Sequence, residues 1–289
     1  MYSANFDYHR ARSLADVHRL LAANPGAKLL AGGHSLIPLM KLRLAAPPAV
    51  VDIGRIPELR GVSRSGDAIR IGALTTHSEV AASADVQKAA PALAEAAGLI
   101  GDPAVRARGT VGGNIAHADP ASDLPTVLVA LDARIVIVGP TGERTIAADG
   151  FFTGIMTTTL ADDEVVTAVL VPVAARGQGS AYVKFSHPAS RYAVIGVAAS
   201  VTVAANQCSA ARVAIGGLVP SARRATTVET ALVGKALDTA TMTAAAGQVR
   251  SDLGDVTGDI FASASYRAAV APVYVKRAIA AAAARAGLA

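Results

Sequence analysis

Leu29-Leu30-Ala31-Gly32-Gly33-His34-Ser35 is the stretch on which the reading of this chain turns. Apolar residues run straight into paired glycines and a serine. Glycine admits positive φ and has no Cβ to block a large anion, so successive backbone N–H groups can converge on phosphate oxygens. The same residues also fit a plain strand-to-helix turn. A second cluster, Gly109-Thr110-Val111-Gly112-Gly113-Asn114, reads as a glycine-rich loop and is followed by Asp119-Pro120-Ala121-Ser122-Asp123. Two such loops, far apart along the chain, suggest one long diphosphate ligand gripped from two domains. Neither is the G-x-G-x-x-G fingerprint and neither is followed by a Walker lysine, which disfavours an NAD-type Rossmann site and an ATPase.

Outward from the first loop, the opening 55 residues read as a β-α-β-like unit. Ser13 and Asp16 make a variant capping box ahead of a helical stripe of Leu14, Val17, Leu20 and Leu21. Asn24-Pro25-Gly26 ends that helix, Lys28–Ala31 and Val50–Ile53 are strands, and Leu36–Leu44 looks helical but broken by Pro38. A second unit, 56–177, holds the strand Ala68–Ile71, a Thr76/Glu79 capping box and a helix Pro91–Leu99 with proline at its start. The helix Leu124–Leu131 and the strands Arg134–Val138 and Val165–Val171 complete it. A third unit, 178–289, has antiparallel strands Ala181–Phe185, Val194–Ala204 and Arg212–Val219, with a turn at Asn206-Gln207. Helices from about Thr227, from about Thr239 and over Ser265–Arg285 follow, the last with Pro272 placed to kink it. The fold class is α+β.

Composition narrows the function. Hydrophobic residues are 52% and charged residues 17%, which is globular, not disordered. The net charge of +5 comes from scattered basic residues and aromatic residues are only 4%, so no nucleic-acid surface is expected. No apolar run reaches the roughly 18 residues a membrane span needs, and Met1 to Arg12 lacks a signal-peptide core. A cytoplasmic location is expected. The single cysteine, Cys208, excludes internal disulfides and any cysteine-ligated iron–sulfur cluster held within the chain. No metal-ligand spacing and no G-x-S-x-G elbow occurs.

Ala31–Ser35 with Leu39-Met40-Lys41-Leu42-Arg43, and Thr110–Asn114 with Ser122-Asp123-Leu124-Pro125, closely resemble the FAD-binding subunits of molybdenum hydroxylases, especially the carbon monoxide dehydrogenase type. The same module is the FAD domain of xanthine dehydrogenase. Gly216-Gly217-x-x-Pro220 with Arg223 and Arg224, and Ser265-Tyr266-Arg267, extend the likeness over almost the whole chain. The resemblance implies two small FAD-binding α/β subdomains of the PCMH-like type and a C-terminal antiparallel sheet with a helical bundle. It gives Ala31, Gly32, Gly33, His34 and Ser35, and Thr110, Val111, Gly112, Gly113 and Asn114, to the FAD diphosphate. It makes Ile100 and Asp123 cofactor contacts, although spacing alone would leave Ile100 in the core and Asp123 capping the helix that follows. Lys184 falls where the family keeps a lysine near the flavin, against a plain reading as a solvated strand residue. Tyr192 resembles the tyrosine that covers one face of the isoalloxazine ring. Where xanthine dehydrogenase carries an acidic run for NAD, this chain has Tyr192-Ala193-Val194, which argues against NAD as acceptor. His117 and His187 fit structural roles better than catalytic ones.

By the same resemblance, a large partner holds molybdopterin and a small partner holds two [2Fe–2S] clusters, assembled as a dimer of heterotrimers. The chain would take electrons from a cluster and pass them to a quinone, with room for a peripheral membrane contact, or to another acceptor. Carbon monoxide, aldehydes, xanthine and N-heterocycles all stand open as partner substrates. A free-standing flavin oxidase would need an acid or base facing the flavin, and the last third supplies no obvious one. The intact glycine pairs speak against a scaffold that has lost its cofactor.

Overall fold

Ser13 accepts the Asp16 N–H and starts the helix Leu14–Ala23, whose Val17 and Leu20 are buried. That helix crosses between parallel strands, and the computed structural model, which describes residues 2–287, orders the first sheet Asp7–Arg10, Ala49–Asp52, Lys28–Leu30. The strand Lys28–Leu30 delivers the chain directly into Ala31–Ser35. Pro38 does not break the next helix, Leu36–Lys41. It occupies the first turn, where a missing N–H has no intrahelical partner to lose.

The second sheet is antiparallel, in the order Val62–Ser65, Ala68–Gly72, Val165–Pro172, Arg134–Gly139, Gly142–Ala147. The strand Val165–Pro172, which arrives last in sequence, lies at its centre. Thr76 and Glu79 form a full capping box on the helix His77–Ala82. The helices Pro91–Leu99 and Asp123–Ala130 bury nearly every side, which is why neither shows an amphipathic stripe. Sequence patterning missed the helix Pro103–Arg108 and the edge strands Val62–Ser65 and Gly142–Ala147. Edge strands with little burial carry no clean alternation.

The third sheet pairs Gln178–Ser186, Ala193–Ala204, Gln207–Gly216 and Arg223–Arg224 antiparallel. Its hairpin turn is Ala205-Asn206, both at positive φ (50° and 62°), one residue earlier than expected. So tight a turn lets the next strand begin at Gln207 instead of Arg212. Gly217, at φ 84°, ends it before Val219. The helices Thr226–Leu232, Thr239–Gly247, Val249–Asp252 and Ala264–Arg285 cover one face. The last runs 22 residues through Pro272. Tyr182, Ala198 and Ala214 on the opposite face join the core of the middle unit.

Candidate functional site

A cleft of about 810 Å3 opens where the three units meet. Ala31–Leu36 line it from the first unit, Ile100, Thr110, Gly112–Asn114 and Asp123 from the second, and Ser190–Tyr192 from the third. Twelve of the fourteen expected residues therefore share one cavity: Ala31, Gly32, Gly33, His34, Ser35, Ile100, Thr110, Gly112, Gly113, Asn114, Asp123 and Tyr192. Val111 does not: its side chain is in the core and its N–H donates to the Thr75 carbonyl at 3.0 Å. Lys184 stands behind Asp123, away from the wall.

The two glycine pairs do different work. A Cβ on Gly32 would fall 2.1 Å from the Arg108 carbonyl oxygen, so the loops meet there backbone against backbone. Gly33 sits at φ 78°, the left-handed region that favours glycine. Among the described residues, the N–H groups of Gly32, Gly33, His34 and Ser35 make no internal hydrogen bond. The second motif is not the loop expected from its glycines. Thr110 caps the helix Val111–His117, and the N–H groups of Gly112, Gly113 and Asn114 go to Ala73 O, Thr110 Oγ1 and Thr110 O. Its contribution to the cleft is room and side chains. Gly113 leaves the wall open, and Asn114, whose Oδ1 accepts the Ser122 hydroxyl at 2.7 Å, keeps its amide protons free to donate.

Asp123 is 3% exposed at the cleft wall. It does not cap its helix: Ser122 takes that position, and the carboxylate accepts Tyr182 OH at 2.5 Å and Lys184 Nζ at 2.9 Å. Lys184, far from solvated, is buried and also donates to the Leu99 carbonyl at 3.3 Å. Burial pushes the Asp123 carboxyl above its ordinary range, while the Lys184 charge and the Tyr182 hydroxyl pull it back. Burial first, then the charge of Asp123, holds the Tyr182 hydroxyl well above its usual range.

Tyr192 is 46% exposed at the cleft mouth. Partial burial and the nearby charges of Asp119 and Asp123 raise its hydroxyl pKa.

Sequence reasoning missed His77 and Tyr182. His77 lines the cleft, is buried, and has no partner for Nδ1. Burial, then the charges of His34 and Arg106, lowers its pKa to about 4, so it is neutral at pH 7. Tyr182 carried a readable signal: it lies two residues from Lys184 on one strand, hence on the same face. His117 also lines the cleft, whereas His187 lies off it. Among the described residues, no group of three or more His, Cys, Asp or Glu side chains could hold a metal ion, and no helix is long and apolar enough to cross a membrane.

The cleft is therefore lined by four residues with unbonded N–H groups, by the glycines of the second motif, and by a buried carboxylate. Unbonded backbone N–H groups at successive residues suit a phosphate or another anion. Residues 4–174 match the family model described as the FAD binding domain in molybdopterin dehydrogenase, and residues 180–282 match the carbon monoxide dehydrogenase flavoprotein C-terminal domain. The chain is 42% identical over 286 residues to the carbon monoxide dehydrogenase medium chain of Hydrogenophaga pseudoflava, covering 99% of both. It is 36% identical over 278 residues to the nicotine 6-hydroxylase medium subunit of Paenarthrobacter nicotinovorans, covering 96% of this chain and 97% of that one. A solved structure of the Hydrogenophaga pseudoflava carbon monoxide dehydrogenase superposes with a TM-score of 0.95 at 43% identity, covering 99% of each chain.

Proposed function

The chain belongs to the family of FAD-binding subunits of molybdenum hydroxylases, and from that premise we propose that it is the electron-transfer subunit of such a complex, taking electrons from the [2Fe–2S] clusters of a small partner and passing them to a quinone or another acceptor. Substrate oxidation would belong to a large molybdopterin-bearing partner in the cytoplasm, within a dimer of heterotrimers. Carbon monoxide is the first substrate to test, on the likeness at Tyr192-Ala193-Val194 and the relatives of that type. The nicotine 6-hydroxylase likeness makes an N-heterocycle the second.

The carrying observation is the convergence of both glycine motifs on one cleft, one with its N–H groups free and the other with its N–H groups spent. On this reading Gly32–Ser35 donate to the diphosphate, Thr110–Asn114 shape the opposite wall, and Ile100 gives apolar contact. Asp123 meets the cofactor with Tyr182 and Lys184 fixing its carboxylate. Lys184 sets the charge behind the site, and Tyr192 covers the ring and limits water. The redox chemistry is supplied by FAD when bound. The units 1–55, 56–177 and 178–289 would then be the two cofactor-gripping halves and the partner-facing cover.

Stopped-flow mixing tests the assignment. The FAD-loaded chain alone should show no flavin bleaching with carbon monoxide, aldehydes or N-heterocycles. The same chain reconstituted with both partners should bleach with its own substrate. Rapid bleaching without partners would make it an oxidase in its own right and end the proposal.

A further inference from the structure

The turn that carries Tyr192 is built around a histidine that cofactor binding leaves unused. His187 Nδ1 accepts the backbone N–H groups of Ala189 and Ser190, each at 3.2 Å. The backbone N–H of His187 donates to the Tyr192 carbonyl at 2.8 Å, and its carbonyl accepts the Arg191 N–H at 2.9 Å. These bonds close the turn between the strands Gln178–Ser186 and Ala193–Ala204 while Arg191 sits at φ 59°. An imidazole that accepts at Nδ1 carries its proton on Nε2. The ring itself rests on Phe261, centroids 4.5 Å apart.

Phe261 is fixed in turn. Asp259 Oδ1 accepts the N–H groups of Phe261 and Ala262 at 2.9 and 2.8 Å, and its Oδ2 meets Arg267 at 2.5 Å. Arg267 is 5% exposed and also donates to the carbonyls of Gly217 at 2.9 Å and Val194 at 3.4 Å. Val194 lies two residues past Tyr192, so both flanks of the tyrosine lead back to one buried guanidinium.

We infer that His187 is the positioning residue for Tyr192, holding it over the cleft, with Phe261 and the Asp259–Arg267 pair as its anchor. The inference rests on the reading of Tyr192 as the cover of a bound flavin. A turn histidine without this role would leave the tyrosine's protection of the flavin unchanged when replaced.

The experiment is iodide quenching of flavin fluorescence in the FAD-loaded full chain, with flavin content and circular dichroism as folding controls. Tyr192→Ala should raise iodide access. His187→Ala should raise it too, shifting the covered-to-open ratio by roughly tenfold through the lost turn bonds. Adding His187→Ala to Tyr192→Ala should change nothing further, because both act on one element. His187→Asn should restore most of the protection, since an asparagine oxygen accepts the same two N–H groups in an Asx-turn, and Phe261→Leu should lose part of it. Wild-type access in His187→Ala or Phe261→Leu, beside raised access in Tyr192→Ala, overturns the inference and leaves the cover reading standing. Independent, multiplying effects in the double variant overturn it as well. No change in Tyr192→Ala itself removes the cover reading and this inference together.

Discussion

Gly32→Ala strains the cleft at its tightest point. The new methyl would lie 2.1 Å from the Arg108 carbonyl oxygen, 2.9 Å from its carbon and 3.0 Å from Gly109 Cα. All are backbone atoms, so no rotamer change relieves the clash. A carbon–oxygen contact relaxes near ~3.3 Å, so the loops must part by about 1 Å. Overpacking of this kind costs about 1–3 kcal/mol of folding stability. Binding should suffer more, because the shift carries the free N–H groups of Gly32 to Ser35 away from the opposite wall. If two hydrogen bonds to a charged diphosphate are lost, at about 1.5–3 kcal/mol each, the FAD dissociation constant rises by roughly 100-fold or more. The assay is FAD titration into the apo chain by flavin fluorescence, with thermal melts in parallel. Gly150→Ala is the control, since a Cβ there meets nothing within 4 Å. A folded Gly32→Ala protein that binds FAD within about threefold of wild type would refute the account of the cleft.

Three further outcomes are expected. His77 titrates near 4 when folded against 6.5 when not, so the folded chain binds fewer protons. Its stabilising share is complete above pH 6.5 and drains as pH falls toward 4, by about 3 kcal/mol in all. Urea midpoints across that range should flatten in His77→Gln, and an unchanged slope would contradict the burial of a neutral ring. Lys184→Met strands a buried carboxylate and should cost about 3–5 kcal/mol in chemical denaturation, much of it recovered by adding Asp123→Leu. A double-variant loss equal to the sum of the Lys184→Met and Asp123→Leu losses would show that the pair is not coupled. Tyr192→Ala should speed reoxidation of the reduced chain by dioxygen and weaken FAD binding by about 1–3 kcal/mol. Unchanged rate and affinity would place the ring elsewhere.

What the sequence disclosed was local chemistry. Ser13 and Thr76 announce their helices because the N–H groups their hydroxyls accept lie three residues on, and Lys28–Leu30 announces a strand because the run stops at glycine. What it hid depends on distant partners. Thr110–Asn114 reads as a loop because glycine disfavours helix, yet Thr75 and Ala73 carbonyls, from a strand end some forty residues back, take the first N–H groups and fix a helical turn. The Asp123 carboxylate looks like a cap until Tyr182 and Lys184 arrive from the third sheet, 59 and 61 residues away. The two glycine pairs show the limit most clearly. They read alike and suggest the same anion nest, but the Ala73 carbonyl takes the Gly112 N–H and the Thr110 cap takes that of Gly113, while nothing takes those of Gly32 and Gly33. At Gly32-Gly33 the N–H groups are free, so those positions should answer to substitution through lost donors; at Gly112-Gly113 they are spent, so those should answer through lost space. An alanine at Gly113, which would stand 2.8 Å from Thr110 Oγ1, should therefore be tolerated better by a smaller diphosphate ligand such as ADP than by FAD, whereas Gly32→Ala should weaken both alike.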